Sequence, residues 1–130
     1  MPRRWRLPPS WVLWIPVVWL VSFPWSAMPA DPAASGGAHW IPFTDPADKP
    51  RDFILNTLLF VPFGYSFARW RRAWPLLATV AAAASVSLSA EALQMLGTNR
   101  YPSGTDVVAA MTGALAGGLA VRLTGDASKN

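Results

Sequence analysis

Polar side chains recur at helical spacing inside a chain that is otherwise apolar. Asp52 and Asn56 are four residues apart, and Glu91 and Gln94 are three apart, so each pair lies on one face of a helix. Carboxylate and amide groups in such pairs can hydrogen-bond a polar ligand or attract a cation. With the next charged residues in the chain they form the candidate site: Asp52, Asn56, Glu91, Gln94, Arg100 and Asp106.

Four apolar stretches must position these residues. Of the 130 residues, 52% are hydrophobic and 14% are charged, whereas about 25% are charged in a typical soluble domain. The stretches predict transmembrane helices over residues 10–28, 53–69, 73–96 and 106–122. We therefore expect an all-α, polytopic membrane protein, a bundle of about four transmembrane helices in which residues 1–130 form one domain.

The first stretch also has the outline of a signal peptide, because Arg3, Arg4 and Arg6 precede it and small residues follow. Its length is close to that of a full span, and further apolar stretches come after it. We expect it to be retained as the first helix.

The basic residues orient the predicted bundle. If the spans alternate, eight of the 11 Lys and Arg residues lie on one side: Arg3, Arg4, Arg6, Arg69, Arg71, Arg72, Arg122 and Lys129. Excess positive charge marks the cytoplasmic side, so we expect a multi-pass protein of the cytoplasmic (inner) membrane with both termini inside. Placement of these residues in short clusters between apolar stretches argues against a nucleic-acid partner.

Several of the polar residues also fit structural roles. Asp52 could be the N-cap of its helix, and Ser103 with Asp106 resembles a capping box. Asn56 could bond a neighbouring helix within the membrane. Under this topology, however, all the candidate site residues fall near the outer face.

Glu91 lies within a predicted span near the C-terminus of its helix, where the helix dipole disfavours a negative charge. A carboxylate in such a place needs a partner, water or a proton, and is a functional candidate by default. A structural ion pair with Arg100 is the alternative.

Gly113 and Gly117 form a small-xxx-small pair in the fourth stretch. Such pairs allow helix backbones to approach closely, and we expect contact within the chain rather than a dimer interface.

The chain has no Cys and one His, His39, which lies in a Gly-rich segment and is interpreted as a loop residue. Metals and cofactors are otherwise left open.

The ordered motifs resemble those of the VanZ-like membrane proteins. The pattern D-x-x-x-N-x-x-x-F-x-P-F-G runs from Asp52 to Gly64, and E-x-x-Q at Glu91, then Arg100, Asp106 and the glycines follow in order. The similarity covers about residues 52–117. Many members carry an Asn four residues after the Asp, where this chain has Ala110.

The resemblance implies a bacterial cell-envelope protein of a family associated with resistance to the glycopeptide teicoplanin. The first hypothesis is an outward-facing polar pocket that binds a lipid-linked precursor or a glycopeptide, with membrane lipid around it. A structural or accessory membrane subunit is the second. An intramembrane enzyme with Glu91 as general base is the third, although no serine has an evident His partner.

Overall fold

A computed structural model of the chain describes residues 9–22, 40–44, 49–95 and 103–127, and the regular elements within these ranges are helices. A short 3₁₀ helix, Ser10–Leu13, leads into α1, Trp14–Ser22. The longer helices are α2, Pro50–Trp70; α3, Leu76–Met95; and α4, Gly104–Ala127. The prediction of an all-α chain with four helices is confirmed.

The helix bounds differ from the predicted spans in ways that polar residues and prolines explain. Pro50 occupies the first turn of α2, where its missing N–H is tolerated, so the helix begins before the apolar stretch. Pro75 precedes α3, so this helix begins after residue 73. α4 extends beyond its predicted span at both ends, to Gly104 and Ala127. Residues 23–28 of the first predicted span lie outside the described residues.

Among the described residues, two helices are long and apolar enough to cross a membrane, judged by length and composition. They are Leu76–Gln94 in α3, with a mean hydropathy of 1.6, and Gly104–Gly125 in α4, with a mean hydropathy of 1.5. The described apolar helix at Ser10–Ser22 is shorter. α2 is not among them, and it carries Arg51, Asp52 and Arg69 in its end turns.

The closest packing joins α2 and α4, whose backbones meet at small residues. A Cβ atom added at Gly113 would overlap the carbonyl oxygen of Thr57, and one added at Gly117 would overlap that of Val61. From the other side, a Cβ at Gly64 would overlap the backbone of Ala114. The small-xxx-small pair thus packs against α2 of the same chain, and we call this contact the glycine seam.

Phenylalanines of α2 and alanines of α3 and α4 fill the centre of the bundle. The core comprises Val18, Phe60, Phe63, Phe67, Ala83, Ala90, Ala110 and Ala114. Trp11 packs edge-on against Phe63 and Phe67, which joins the N-terminal segment to α2. α1 therefore contributes to the same core as the other helices.

The α2–α3 turn gathers aromatic and basic side chains at one end of the bundle. The guanidinium of Arg71 lies 4.0 Å from the ring centroid of Trp70 and 5.0 Å from that of Trp74. Arg122, in α4, donates a hydrogen bond to the carbonyl oxygen of Trp74. We call this the arginine–tryptophan end; the other end carries the polar residues.

Candidate functional site: a polar cavity between the helix ends

A partly open cavity of about 130 Å³ lies where the four helices meet at the end opposite the arginine–tryptophan end. α2 and α4 begin here, and the described parts of α1 and α3 run to here, so the helices alternate in direction. The lining residues are Val18, Val21, Ser22, Asp52, Leu55, Asn56, Phe60, Ser87, Ala90, Glu91, Gln94 and Asp106.

Five of the six residues in the predicted site line this one cavity, and three different helices supply them. Asp52 and Asn56 come from α2, Glu91 and Gln94 from α3, and Asp106 from α4. Arg100, the sixth, lies outside the described residues, as does its suggested pairing with Glu91.

Glu91 joins α3 to the beginning of α4. Its side chain is 3% exposed, and its Oε2 atom accepts a hydrogen bond from the backbone N–H of Ser103, 3.1 Å away. Ser103 immediately precedes α4, and its own Oγ accepts from the Thr105 N–H at 3.2 Å. The carboxylate of Glu91 is thereby placed at the positive N-terminus of α4, which offsets its unfavourable position near the C-terminus of α3.

Asp106 faces α2 across the cavity. Its Oδ1 atom accepts a 2.6 Å hydrogen bond from Nδ2 of Asn56. Because an ionised carboxylate can only accept, this bond also fixes the orientation of the Asn56 amide. Asn56 therefore makes the interhelical contact that was one of its two predicted roles. Ser103 Oγ accepts from the N–H of Thr105, as an N-cap serine does, and its own N–H bonds Glu91. The suggested capping box of Ser103 with Asp106 stays a prediction.

Gln94 reaches from α3 to α1. Its Nε2 atom donates to the carbonyl oxygen of Ser22 at 2.9 Å. The residue is 3% exposed, and its Oε1 atom is buried without a hydrogen-bond partner. An unsatisfied buried acceptor of this kind costs roughly 1–3 kcal/mol.

Asp52 is not the N-cap of α2, which was one of the two roles considered for it. The N-cap of α2 is Lys49, no side chain caps this end, and Asp52 lies within the first turn. Pro50 was the signal that could have located the start of the helix. Asp52 is half-buried, lines the cavity, and still lies near the positive end of the α2 dipole.

The contribution of α1 to the cavity was not predicted. Val18 and Val21 form apolar lining, and Ser22 supplies a backbone carbonyl to Gln94. Trp19, also in α1, donates from its indole nitrogen to Ser89 Oγ at 3.0 Å. No sequence motif marks these contacts, because apolar and backbone groups carry no recognisable pattern.

Two further residues bear on the chemistry. Ala110, where many family members carry Asn, is fully buried in the core and is not among the residues that line the cavity. Two serines, Ser22 and Ser87, line the cavity. Within the described residues, no group of three or more His, Cys, Asp or Glu side chains could hold a metal ion.

The arrangement defines a class of protein: a four-helix bundle with two long apolar helices and a polar cavity between the helix ends. The sequence model of the VanZ/LLP1 family matches residues 10–125, which is most of the chain. This protein belongs to that VanZ-like family. Neither a curated protein nor a solved structure gives a significant match.

Proposed function

We propose that this chain is a polytopic protein of the bacterial cytoplasmic membrane whose cavity binds the polar group of a lipid-carried component of the cell envelope. The observation that carries the proposal is the cavity itself. Seven polar residues, five of them from the predicted site, line it beside apolar residues of α1, α2 and α3. Polar and apolar lining together suit an amphipathic ligand.

Apolar side chains on the outside of every helix support the membrane location. Leu20, Leu58, Leu77 and Leu123, one from each helix, are between 59% and 74% exposed. A water-soluble monomer rarely exposes apolar residues on all sides, whereas lipid favours them. The two apolar helices long enough to span agree with this location.

The arginine–tryptophan end supports the orientation. Arg69, Arg71, Arg72 and Arg122 lie near this end, and indole rings are typical of the membrane interface. This end would face the cytoplasm, and the cavity would then open toward the outer leaflet.

The cavity's size favours a small polar group over a whole glycopeptide. An engineered cavity of about 150 Å³ holds a single benzene ring, and the volume here is about 130 Å³. A lipid headgroup, or one sugar or amino-acid portion of a lipid-linked precursor, is of suitable size. A glycopeptide would have to bind through one of its side groups.

A structural role is the second candidate, and two hydrogen bonds favour it. Glu91 holds the N-cap of α4, and Asn56 holds Asp106, so both pairs join helices without any ligand. No such observation favours catalysis. The described residues contain no histidine, so no described histidine can act as a base for the serines that line the cavity.

Blocking the cavity separates the binding role from the structural one. Leu55 lines the cavity and is 51% exposed, whereas Ile54, its neighbour on α2, is 56% exposed and does not line it. Leu55→Trp and Ile54→Trp thus place the same large side chain on similarly exposed positions. Both variants should fold.

The protein would be reconstituted into nanodiscs of bacterial polar lipid extract, re-extracted, and analysed by native mass spectrometry for retained lipid. We expect Leu55→Trp to reduce retention of a specific lipid by about tenfold, a loss of about 1.4 kcal/mol, and Ile54→Trp to leave it unchanged. Equal retention by both variants and the wild type would contradict a binding role and leave the structural one.

A further inference from the structure

Three exposed arginines gather around Trp74 at the arginine–tryptophan end. The guanidinium of Arg71 lies 5.0 Å from the centroid of the Trp74 ring, and Arg122 donates to the Trp74 carbonyl oxygen. The Nη1 atom of Arg72 lies 3.7 Å from the position that a Cβ atom of Gly125 would occupy. Because Gly125 is three residues after Arg122, Arg72 lies against the face of α4 that carries Arg122. The α2–α3 turn and α4 thus bring these cations together.

The acidic side chains that the structure describes lie at the other end of the bundle. They are Asp52, Glu91 and Asp106, and all three line the cavity. Asp126 follows Arg122 by four residues in α4, but one carboxylate can offset only one of three guanidinium charges. α1 and α3 begin near the arginine–tryptophan end whereas α2 and α4 end there, so their dipoles largely offset one another. An external anion would therefore be attracted to the arginines.

The aromatic contacts of Arg71 leave its hydrogen-bond donors available. A guanidinium carries five N–H donors in its plane, and contact with an aromatic ring uses its flat face. Arg71 lies 4.0 Å from the ring centroid of Trp70 as well as against Trp74, so two indoles restrict its position. Among the described residues, none accepts a hydrogen bond from this guanidinium. Donors held in such a fork match the paired oxygens of a phosphate group.

Exposed apolar side chains continue from the arginines toward the middle of α3 and α4. Leu77 lies three residues after Trp74, and Leu119 lies three residues before Arg122. Both leucines are exposed, as is the indole of Trp74. The surface is therefore basic at the end of the bundle and apolar about one turn further in. A phospholipid presents its phosphate and its acyl chains in the same order.

We infer that the arginine–tryptophan end binds the phosphate of an anionic phospholipid, of which phosphatidylglycerol is the simplest example. Arg71, Arg72 and Arg122 donate to the phosphate oxygens, and the acyl chains lie along the exposed leucines. Phosphatidylcholine is less suitable, because its phosphate is accompanied by a cation of its own. This inference rests on the membrane location in the proposed function, but it requires no ligand in the cavity.

Competition between two lipids tests the inference. The protein is reconstituted in nanodiscs of equal phosphatidylglycerol and phosphatidylcholine, re-extracted, and analysed by native mass spectrometry for retained lipid. We expect the wild type to retain phosphatidylglycerol about tenfold over phosphatidylcholine. Arg71→Gln and Arg72→Gln should each reduce this preference about fivefold, equivalent to about 1 kcal/mol, the usual contribution of one arginine near an anionic membrane surface.

Arg69→Gln is the matched control, because it removes the same charge at the same end of α2. The Arg69 guanidinium lies 3.4 Å from the hydroxyl of Tyr65, one turn back along α2, and not against Trp74. This variant should change the preference by less than about twofold. Equal losses in all three variants would show that the preference follows the net charge of the surface, and would overturn the site.

Arg72→Gln guards against an effect of misfolding. The stacking of Arg71 on two indoles also contributes to the fold, whereas the Arg72 side chain is exposed and its described contact is the one near Gly125. Arg72→Gln should therefore unfold at the wild-type temperature in nanodiscs of phosphatidylcholine alone. Retention of phosphatidylglycerol by Arg72→Gln at the wild-type level would overturn the inference, whatever Arg71→Gln does.

Inorganic phosphate distinguishes a lipid from a free anion. In nanodiscs of phosphatidylcholine alone, phosphate should leave the unfolding temperature unchanged, because the acyl chains are part of the ligand. A rise in that temperature that Arg72→Gln abolishes, without retention of phosphatidylglycerol, would keep the phosphate chemistry and overturn the lipid.

The variant that blocks the cavity separates this inference from the proposed function. Leu55→Trp acts at the opposite end and should leave the preference for phosphatidylglycerol intact. A preference abolished by Leu55→Trp and unaffected by the arginine variants would overturn this inference and support a lipid-binding cavity. A preference abolished by Arg72→Gln, with no lipid sensitive to Leu55→Trp, would support this inference and overturn the proposed function.

Discussion

The Oε2 atom of Glu91 lies 3.1 Å from the backbone nitrogen of Ser103, so a carboxylate of α3 satisfies the first backbone donor before α4. The carboxylate belongs to α3 and the donor immediately precedes α4, so the bond fixes where α4 begins relative to α3. This structural bond explains the presence of a buried carboxylate at Glu91 whether or not a ligand binds. Variants at this position can measure the structural part.

Glu91→Leu should destabilise the protein more than Glu91→Gln. Leucine leaves the Ser103 N–H without its acceptor, which costs about 1–3 kcal/mol, whereas the glutamine oxygen can still accept and loses mainly the charge at the helix dipole, about 0.3–1 kcal/mol. Thermal unfolding followed by intrinsic fluorescence of the eight Trp residues would measure the difference. Equal losses would show that the bond to Ser103 contributes nothing.

Exchanging Asn56 and Asp106 should reveal their coupling. Asn56→Asp alone places two carboxylates where a 2.6 Å hydrogen bond now lies, and should be more destabilising than Asn56→Ala. The double variant Asn56→Asp with Asp106→Asn restores one donor and one acceptor. We expect a double-mutant cycle to return an interaction of about 0.5–3 kcal/mol. Additive effects of the two changes would contradict a direct contact.

The glycine seam predicts a position-specific effect of one methyl group. Gly117→Ala would force the Val61 carbonyl away, and overpacking of this kind costs about 1–3 kcal/mol. Gly125→Ala is the matched control on the same helix, because its Cβ would meet only the guanidinium of Arg72 at 3.7 Å. The control should be neutral or stabilising by up to about 1 kcal/mol. Unfolding temperatures that fall equally would refute the seam.

Cysteine labelling tests the proposed orientation, since the chain has no Cys of its own. Thr44 is exposed near the cavity end, where the Phe43 N–H bonds Thr105 Oγ1, and Ala73 is exposed in the α2–α3 turn. An impermeant thiol reagent should label Thr44→Cys in intact cells and Ala73→Cys only after permeabilisation. The reverse pattern would invert the orientation, and equal labelling would argue against a spanning bundle.

The sequence predicted which residues line the polar cavity better than it predicted the hydrogen bonds among those residues. Helical spacing and alternating direction suffice to bring Asn56, Gln94 and Asp106 to one end, because both follow from apolar stretches and short connections. Which side chains hydrogen-bond each other depends on the rotation of each helix about its axis, and no local sequence pattern determines that rotation. That is why Ser103 was recognised as an N-cap while its bond to Glu91 was not foreseen.

The start of α2 illustrates a different limit. Hydropathy located the helix from Phe53 onward, but Arg51 and Asp52 are polar residues of its first turn, and Pro50 marks the true beginning. The later predicted start made an N-cap role for Asp52 plausible, whereas the residue lies in the first turn. The role of α1 was missed for another reason, since Val18 and Val21 resemble any other apolar residues in the span.

The glycine seam also determines how evolution can alter this family. Any homologue that gains a side chain opposite the Thr57 or Val61 carbonyl must separate α2 from α4, and this would pull Asn56 away from Asp106. Substitutions at Gly64, Gly113 and Gly117 should therefore be rare, or be matched by compensating changes on the facing helix. Covariation between these positions would report the spacing of two backbones, and invariance there would be no indication of contact with a ligand.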